Sequence, residues 1–212
     1  MSDDVLPLTP DDVRAMTAAT AAGEVVLFPA ETVYGLAADP SRPEAVARMA
    51  ALKDRDPGKP SSVLFWSLDA ALAALRDAVP AAVLAALPRL LPGPVGVLLP
   101  NPGGAFPAAA GDAPGTLGVR VPRLAQPVNA PPVVQTSANR AGGPDPATLD
   151  AVPPSIRAAA RLVRDAGPRP GRPSTIVDLR RAHEGAGWDL VREGALPRTA
   201  IAARLDGVLP PA

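Results

Sequence analysis

Short apolar segments of strand length alternate along this chain with segments whose apolar side chains recur at helical spacing. Strands are predicted at residues 25–28, 62–66, 95–99, 117–121, 133–135, 161–164, 174–179 and 188–192. Helices are predicted at residues 10–22, 43–52, 69–75, 81–91, within 153–160 and at 199–205, with residues 100–116 as a loop. This alternation predicts an α/β fold: a mixed sheet with helices on both faces, in a single domain spanning residues 1–212.

Local signals refine three of these elements. Thr9 and Pro10 cap a first helix, and residues 41–44 have the spacing of a capping box for the second. Pro88 should disturb the fourth helix, because proline lacks the amide proton that a helix interior needs. Only eleven residues separate the strands at 117–121 and 133–135, which is short for a parallel crossover. These two strands are therefore antiparallel or are not neighbours.

Composition excludes several kinds of chemistry. The chain has no cysteine and one histidine, His183, which argues against thiol nucleophiles and a zinc site. Acidic and basic residues balance at 21 each, so a cationic site must be local. The amino terminus lacks the layout of a signal peptide, and no apolar run reaches the length of a membrane span. We expect a soluble cytoplasmic protein without a membrane partner.

The strand at residues 25–28 looks like one buried in the middle of a sheet, and it is followed by an unusual loop. Glu31, Thr32, Tyr34 and Gly35 supply a carboxylate, a hydroxyl, the only tyrosine and a glycine. This set is typical of the crevice where strand ends open onto a ligand. The alternative is that Pro29 and Gly35 simply punctuate a surface loop.

The basic residues suggest a polyanion site. Lys53 and Lys59 are the only lysines and lie in one seven-residue stretch. Together with Arg55, Arg120 and Arg192 they would form a basic cavity for a nucleoside triphosphate if the fold brings them together. Each arginine taken singly is equally explained as a solvated side chain at the end of a strand.

Seven motifs in order resemble a known family. They are Pro-Ala-Glu-Thr-Val-Tyr-Gly-Leu at 29–36, Lys-Asp-Arg at 53–55, Pro-Gly-Pro at 92–94, Val-Arg-Val-Pro at 119–122, Thr-Ser-Ala-Asn at 136–139, Pro-Ser-Thr-Ile-Val-Asp at 173–178 and Arg-Glu-Gly at 192–194. Their order and spacing resemble the YrdC-type threonylcarbamoyl-AMP synthase family over roughly residues 10–206. The chain resembles the short, single-domain form of that family.

The resemblance implies a YrdC-like twisted mixed sheet with flanking helices around a large basic concave cavity. It implies a nucleotidyltransferase that converts L-threonine, bicarbonate and ATP to threonylcarbamoyl-AMP and pyrophosphate, with Mg²⁺ carried on the ATP and no metal site of its own. No covalent nucleophile is expected, because this chemistry needs positioned anions and neutralised charge. Further implied partners are tRNA or double-stranded RNA, and a transferase complex that uses the product to make threonylcarbamoyladenosine in tRNA.

The resemblance also assigns site residues. For threonine they are Thr32, Arg120 and Ser174. For ATP they are Lys53, Arg55, Lys59, Ser137 and Arg192. Tyr34, Thr136 and Asn139 are expected to line the same pocket.

The chain departs from the family pattern at three positions. Ala30 and Gly96 stand where the family usually has hydroxyl side chains, and Asp56 stands where it has proline. The segment 122–132 is also short for the family and is expected to lack a helix. Two alternatives therefore stay open: a non-catalytic RNA-binding or ribosome-associated paralogue of the same fold, and a carbamoyl-transfer domain acting on another acceptor.

Overall fold

The computed structural model describes residues 5–212 of the chain. Its helices are α1 (Pro10–Ala21), α2 (Pro43–Leu52), α3 (Leu68–Leu75), α4 (Ala81–Leu90), α5 (Pro107–Ala110), α6 (Pro154–Ala159) and α7 (Arg198–Leu205), with a 3-10 helix at Ala182–Glu184. Its strands are β1 (Val5–Leu6), β2 (Val26–Pro29), β3 (Tyr34–Ala38), β4 (Ser62–Leu64), β5 (Val95–Pro100), β6 (Thr116–Arg120), β7 (Arg123–Leu124), β8 (Val133–Ser137), β9 (Arg161–Leu162), β10 (Thr175–Asp178) and β11 (Asp189–Arg192). In this part of the chain, no helix is both long and apolar enough to cross a lipid bilayer.

Nine of the described strands form one mixed sheet in the order β11-β10-β5-β6-β4-β8-β3-β2-β9. The mixed α/β class is therefore confirmed. Strands β6 and β8 are not neighbours, because β4 lies between them, parallel to β6 and antiparallel to β8. The short connection between β6 and β8 carries β7, which pairs with β1 in a separate two-stranded ribbon. The expectation that residues 122–132 hold no helix agrees with the structure.

The two faces of the sheet bury separate apolar clusters, since successive side chains of a strand point in opposite directions. On β2, Leu27 joins the larger cluster, which α2, α3, α4, α6 and α7 cover. Val26 and Phe28 point the other way into a smaller cluster covered by α1. On this second face, the smaller cluster extends along the sheet only as far as Leu64 of β4. Beyond Leu64, the same face carries polar side chains and becomes the wall of a cavity.

Four local expectations were wrong. Residues 31–35 are not all loop, because β3 begins at Tyr34 and forms a hairpin with β2. Strand β2 lies second from the sheet edge, next to the two-residue β9, and not in the middle. The Ser41 hydroxyl donates to Asp39, so Arg42 takes the N-cap position of α2 without a side-chain cap. The loop at 100–116 contains the short helix α5. In contrast, the Thr9 cap of α1 is confirmed, with Asp12 completing a capping box.

Gly194, just after β11, packs closely against the backbone of residues 173–174. A Cβ placed on Gly194 would lie 2.1 Å from the Pro173 carbonyl oxygen and 2.5 Å from the Ser174 carbonyl carbon. Both neighbours are backbone atoms that cannot rotate away. We expect Gly194→Ala to lower the free energy of unfolding by about 1–3 kcal/mol, as overpacking does. Urea denaturation measures this, with Gly115→Ala as control because a Cβ there meets nothing within 4 Å. Equal losses in the two variants would contradict the steric argument.

Candidate ligand site

Two cavities share part of their lining, and the first opens where the second face of the sheet is left uncovered by α1. The first, here called the sheet cavity, has a volume of about 190 Å³ and is walled by Arg120, Gln135, Ser174, Ile176 and Arg192, among others. The second, the loop cavity, has a volume of about 310 Å³ and includes Lys53, Lys59 and Asn139. Arg55, Thr136 and Ser137 line both cavities and form the partition between them.

Ten of the eleven predicted site residues line one or both cavities. In the sheet cavity these are Thr32, Arg55, Arg120, Thr136, Ser137, Ser174 and Arg192. In the loop cavity they are Lys53, Arg55, Lys59, Thr136, Ser137 and Asn139. Tyr34 lines neither of them. Its ring is buried in the larger apolar cluster, and its hydroxyl donates to Asp165 Oδ1 and lies 3.1 Å from the Gly167 carbonyl oxygen. Burial together with that donation raises the pKa of Tyr34 to about 12.

Arg120 is the most constrained cation of the site. It ends β6, and its guanidinium is buried between Glu31 and Gln135. One terminal nitrogen donates to Glu31 Oε2 at 3.0 Å and the other to Gln135 Oε1 at 3.1 Å. The Glu31 carboxylate also accepts from the Arg123 amide at 3.0 Å. Two fixed acceptors thus hold the plane of the guanidinium, as bidentate recognition of a carboxylate requires.

Two buried polar atoms of the sheet cavity lack a hydrogen-bond partner among residues 5–212: Arg120 Nε and Ser174 Oγ. Leaving such groups unsatisfied is expensive, so a ligand that pairs with them gains binding energy. Arg192 lies beside them, donating to the Ser174 carbonyl oxygen at 2.9 Å. Burial lowers the pKa of Arg120; the charge of Glu31 opposes this, whereas Arg192 adds to it. An anionic ligand would relieve that imbalance of charge.

Lys53 holds the loop cavity together. It lies just past α2 and is only 3% exposed. Its ammonium donates to the Ser137 carbonyl, to the Asn139 carbonyl at 2.8 Å and to Asn139 Oδ1 at 3.0 Å. All three of its protons therefore go to residues 137–139. Burial, reinforced by the charge of Arg55 and opposed by Asp145, lowers the pKa of Lys53 to about 8.

Arg55 crosses the partition between the cavities. Its guanidinium donates to Thr136 Oγ1 at 3.2 Å and to the Pro60 carbonyl at 2.6 Å, and burial lowers its pKa. On the neighbouring loop, the Ser137 hydroxyl lies 2.6 Å from Asn139 Oδ1. A second loop contact comes from the Ala141 amide, which donates to the Lys53 carbonyl at 2.7 Å. The segments 53–55 and 136–141 therefore form a single unit.

The three departures from the family pattern have different structural meanings. Ala30 is buried in the smaller apolar cluster, so it lines neither cavity. Asp56 accepts from the Gly58 amide at 2.9 Å and stabilises a turn. Gly96 lies between Ile176 and Arg120 on the cavity face. Only the Gly96 departure therefore bears directly on the shape of the sheet cavity.

Three residues that line the sheet cavity were not predicted as site residues: Gln135, Asp145 and Ile176. Glu31 was predicted to lie in the crevice, but its pairing with Arg120 was not predicted. Gln135 had a usable signal, because it is a polar residue next to a strongly apolar run. Asp145 lies in a glycine- and proline-rich turn with no distinguishing pattern. Ile176 was indistinguishable from a core residue, since only strand register shows which face it occupies.

The fold and the site define an α/β protein with an arginine-lined cavity on the open face of a mixed sheet. The family model Sua5_yciO_yrdC, described as telomere recombination, matches residues 18–194. The threonylcarbamoyl-AMP synthase of Chromohalobacter salexigens is 37% identical over 182 residues, covering 81% of this chain and 94% of that protein. The chain belongs to the Sua5/YciO/YrdC family.

Further similarities agree with this membership. The threonylcarbamoyl-AMP synthase of Alkalilimnicola ehrlichii is 53% identical over 47 residues, which is 25% of its length. A crystal structure of Pyrococcus abyssi Sua5 complexed with L-threonine matches 97% of this chain with a TM-score of 0.76 and 25% identity. This chain spans 60% of the length of that Sua5 chain. Escherichia coli YciO, at 16% identity and a TM-score of 0.72, shares the fold over 91% of this chain.

Proposed function

We propose that the chain is a threonylcarbamoyl-AMP synthase, a transferase that acts on L-threonine, bicarbonate and ATP. One observation carries the proposal: Arg120 and Ser174, each with a buried polar atom that has no partner in the described residues, line the same cavity beside Arg192. These are donors suited to the carboxylate of an amino acid. The neighbouring loop cavity supplies Arg55 and Lys59 for a triphosphate.

The reaction has two bond-forming stages. The amino group of threonine adds to bicarbonate and water leaves, giving a carbamate. A carbamate oxygen then attacks the α-phosphorus of ATP, and the bond to the departing pyrophosphate breaks. Both stages bring anions together, so the main task of this chain is to position them and neutralise their charge. Arg120 and Ser174 would fix the threonine carboxylate, leaving its amino group free to react. Arg55, Lys59 and Arg192 would hold the phosphates.

Mg²⁺ is expected to arrive bound to ATP, where it neutralises phosphate charge. The residues available for it are oxygen donors, the ligand type this ion prefers. The Asp145 carboxylate and the hydroxyls of Thr136 and Ser137 all line the sheet cavity. Mg²⁺ keeps several waters in nucleotide sites and needs few protein ligands. These oxygen donors therefore suit a Mg²⁺ ion that arrives bound to ATP.

The test is turnover by purified protein. Incubation with L-threonine, bicarbonate, Mg-ATP and pyrophosphatase should yield phosphate, and mass spectrometry should detect threonylcarbamoyl-AMP. Leaving out threonine or bicarbonate should abolish both signals. Folded protein, verified by circular dichroism, that gives no threonine-dependent product would overturn the proposal. We also propose that the product feeds threonylcarbamoyladenosine formation in tRNA by a downstream transferase complex. Direct RNA binding stays a prediction, which the salt dependence of RNA affinity would test.

A further inference from the structure

A row of three residues crosses the floor of the sheet cavity. Ile176 of β10 is the direct cross-strand partner of Gly96 of β5, and Gly96 is the partner of Arg120 of β6. Partners on adjacent strands point to the same face of a sheet. Ile176 and Arg120 both line the cavity, so the row forms part of its wall with Gly96 as a gap in the middle.

Ile176 fills this gap. A Cβ placed on Gly96 would lie 2.8 Å from Ile176 Cδ1 and 3.7 Å from Arg120 Cγ. The end of the isoleucine side chain therefore leans over the glycine towards the aliphatic stem of Arg120. This places an apolar methyl group over Gly96, on the side of the aliphatic stem of Arg120, in a cavity whose wall also includes Thr32, Ser62 and Gln135.

We infer that Ile176, seated over Gly96, selects the side chain of the amino-acid substrate, favouring a β-carbon that bears a methyl group. The inference rests on the proposed function and on the carboxylate being bound by Arg120. An amino acid held there by its carboxylate would extend its side chain into the cavity that Ile176 lines. A methyl substituent gains an apolar contact that a hydrogen atom cannot make. One such group in an apolar subsite changes specificity by about 10-fold or more.

The test compares L-threonine with L-serine, which lacks only the methyl group. Isothermal titration calorimetry gives the dissociation constant of each amino acid, and the turnover assay gives kcat/KM. We expect the wild type to prefer threonine by about 10-fold. Ile176→Ala should weaken threonine binding, leave serine binding nearly unchanged and bring the ratio close to one. Ile176→Val, which keeps the branched β-carbon and removes only Cδ1, should lower the ratio partially. Val191→Ala, on the exposed part of β11, is the matched control.

Filling the gap gives an independent check. Gly96→Ala should weaken binding of both amino acids by forcing the end of the Ile176 side chain aside, and adding Ile176→Val should restore threonine binding, because the clashing atom is gone. If threonine binds but the ratio is the same in wild type, Ile176→Val and Ile176→Ala, this inference is overturned and the proposed function stands. If the wild type neither binds threonine nor forms product, the proposed function fails and this inference fails with it.

Discussion

Replacing Arg120 with methionine should both destabilise the protein and remove its affinity for threonine. The guanidinium is buried and pairs with the buried Glu31 carboxylate at 3.0 Å. Breaking a buried ion pair from one side lowers the free energy of unfolding by about 3 kcal/mol or more. We expect the lower end of this range, because the Arg123 amide still donates to Glu31. Loss of a charge-assisted contact to the substrate carboxylate should weaken threonine binding by about 100-fold. Urea denaturation and calorimetry measure the two effects.

A second variant separates stability from binding. The double variant Arg120→Met/Glu31→Gln replaces the Glu31 carboxylate with a neutral amide. No unpaired charge is then buried, so much of the lost stability should return. Threonine binding should stay weak, because the ligand for the carboxylate is still missing. Arg76→Met serves as the control, since the Arg76 side chain is 73% exposed and should change stability by less than about 0.5 kcal/mol. Retained threonine affinity in Arg120→Met would remove Arg120 from the site.

The elements that the sequence predicted well are those with a strong local pattern. Strand β5 is a short apolar run next to a Pro-Gly-Pro turn, and helix α4 repeats apolar residues at helical spacing. Strand β3 escaped prediction because Gly35 resembles a breaker. In the folded chain, a Cβ at Gly35 would lie 3.1 Å from the Phe28 ring and from the Thr136 carbonyl oxygen. Glycine is therefore favoured there by close packing of two neighbouring strands, which a single segment does not show.

The contrast between local pattern and long-range packing also separates the predicted part of the site from the unpredicted part. The family resemblance assigned Arg120, Ser174 and Arg55 to the site, and the structure places all three on the sheet cavity. What each group bonds to depends on segments far apart in the chain: Glu31 meets Arg120 only because β3 and β6 share a sheet. The cavity role of Ile176 likewise depends on register between β10 and β5. Pairings of this kind are properties of the fold and are not readable from composition or local pattern.

Lys53 illustrates how geometry changes a predicted role. The resemblance assigns it to ATP, yet its ammonium donates to three oxygens of residues 137–139. We therefore expect Lys53 to act as a positioning residue that keeps Ser137 and Asn139 in place. With its pKa lowered to about 8, Lys53 is protonated below that pH and loses its charge above it. Because the unfolded chain has the higher lysine pKa, it binds more protons between pH 8 and the ordinary lysine value, so this group makes stability rise with pH there. The effect on activity has the opposite sign.

Lys53→Met should lower kcat/KM for ATP by about 100-fold, the size of loss expected when catalytic groups are displaced by about 1 Å. In the wild type, kcat/KM should fall as pH rises through about 8, because the free enzyme then loses the ammonium that anchors the loop. This decline should be absent from Lys53→Met. Lys59→Met is the matched control: Lys59 lies exposed at the rim of the same cavity, so its loss should raise KM and leave kcat and the decline near pH 8 in place. If Lys53→Met keeps the wild-type kcat/KM, and if its kcat/KM still falls as pH rises through about 8, the positioning role is contradicted.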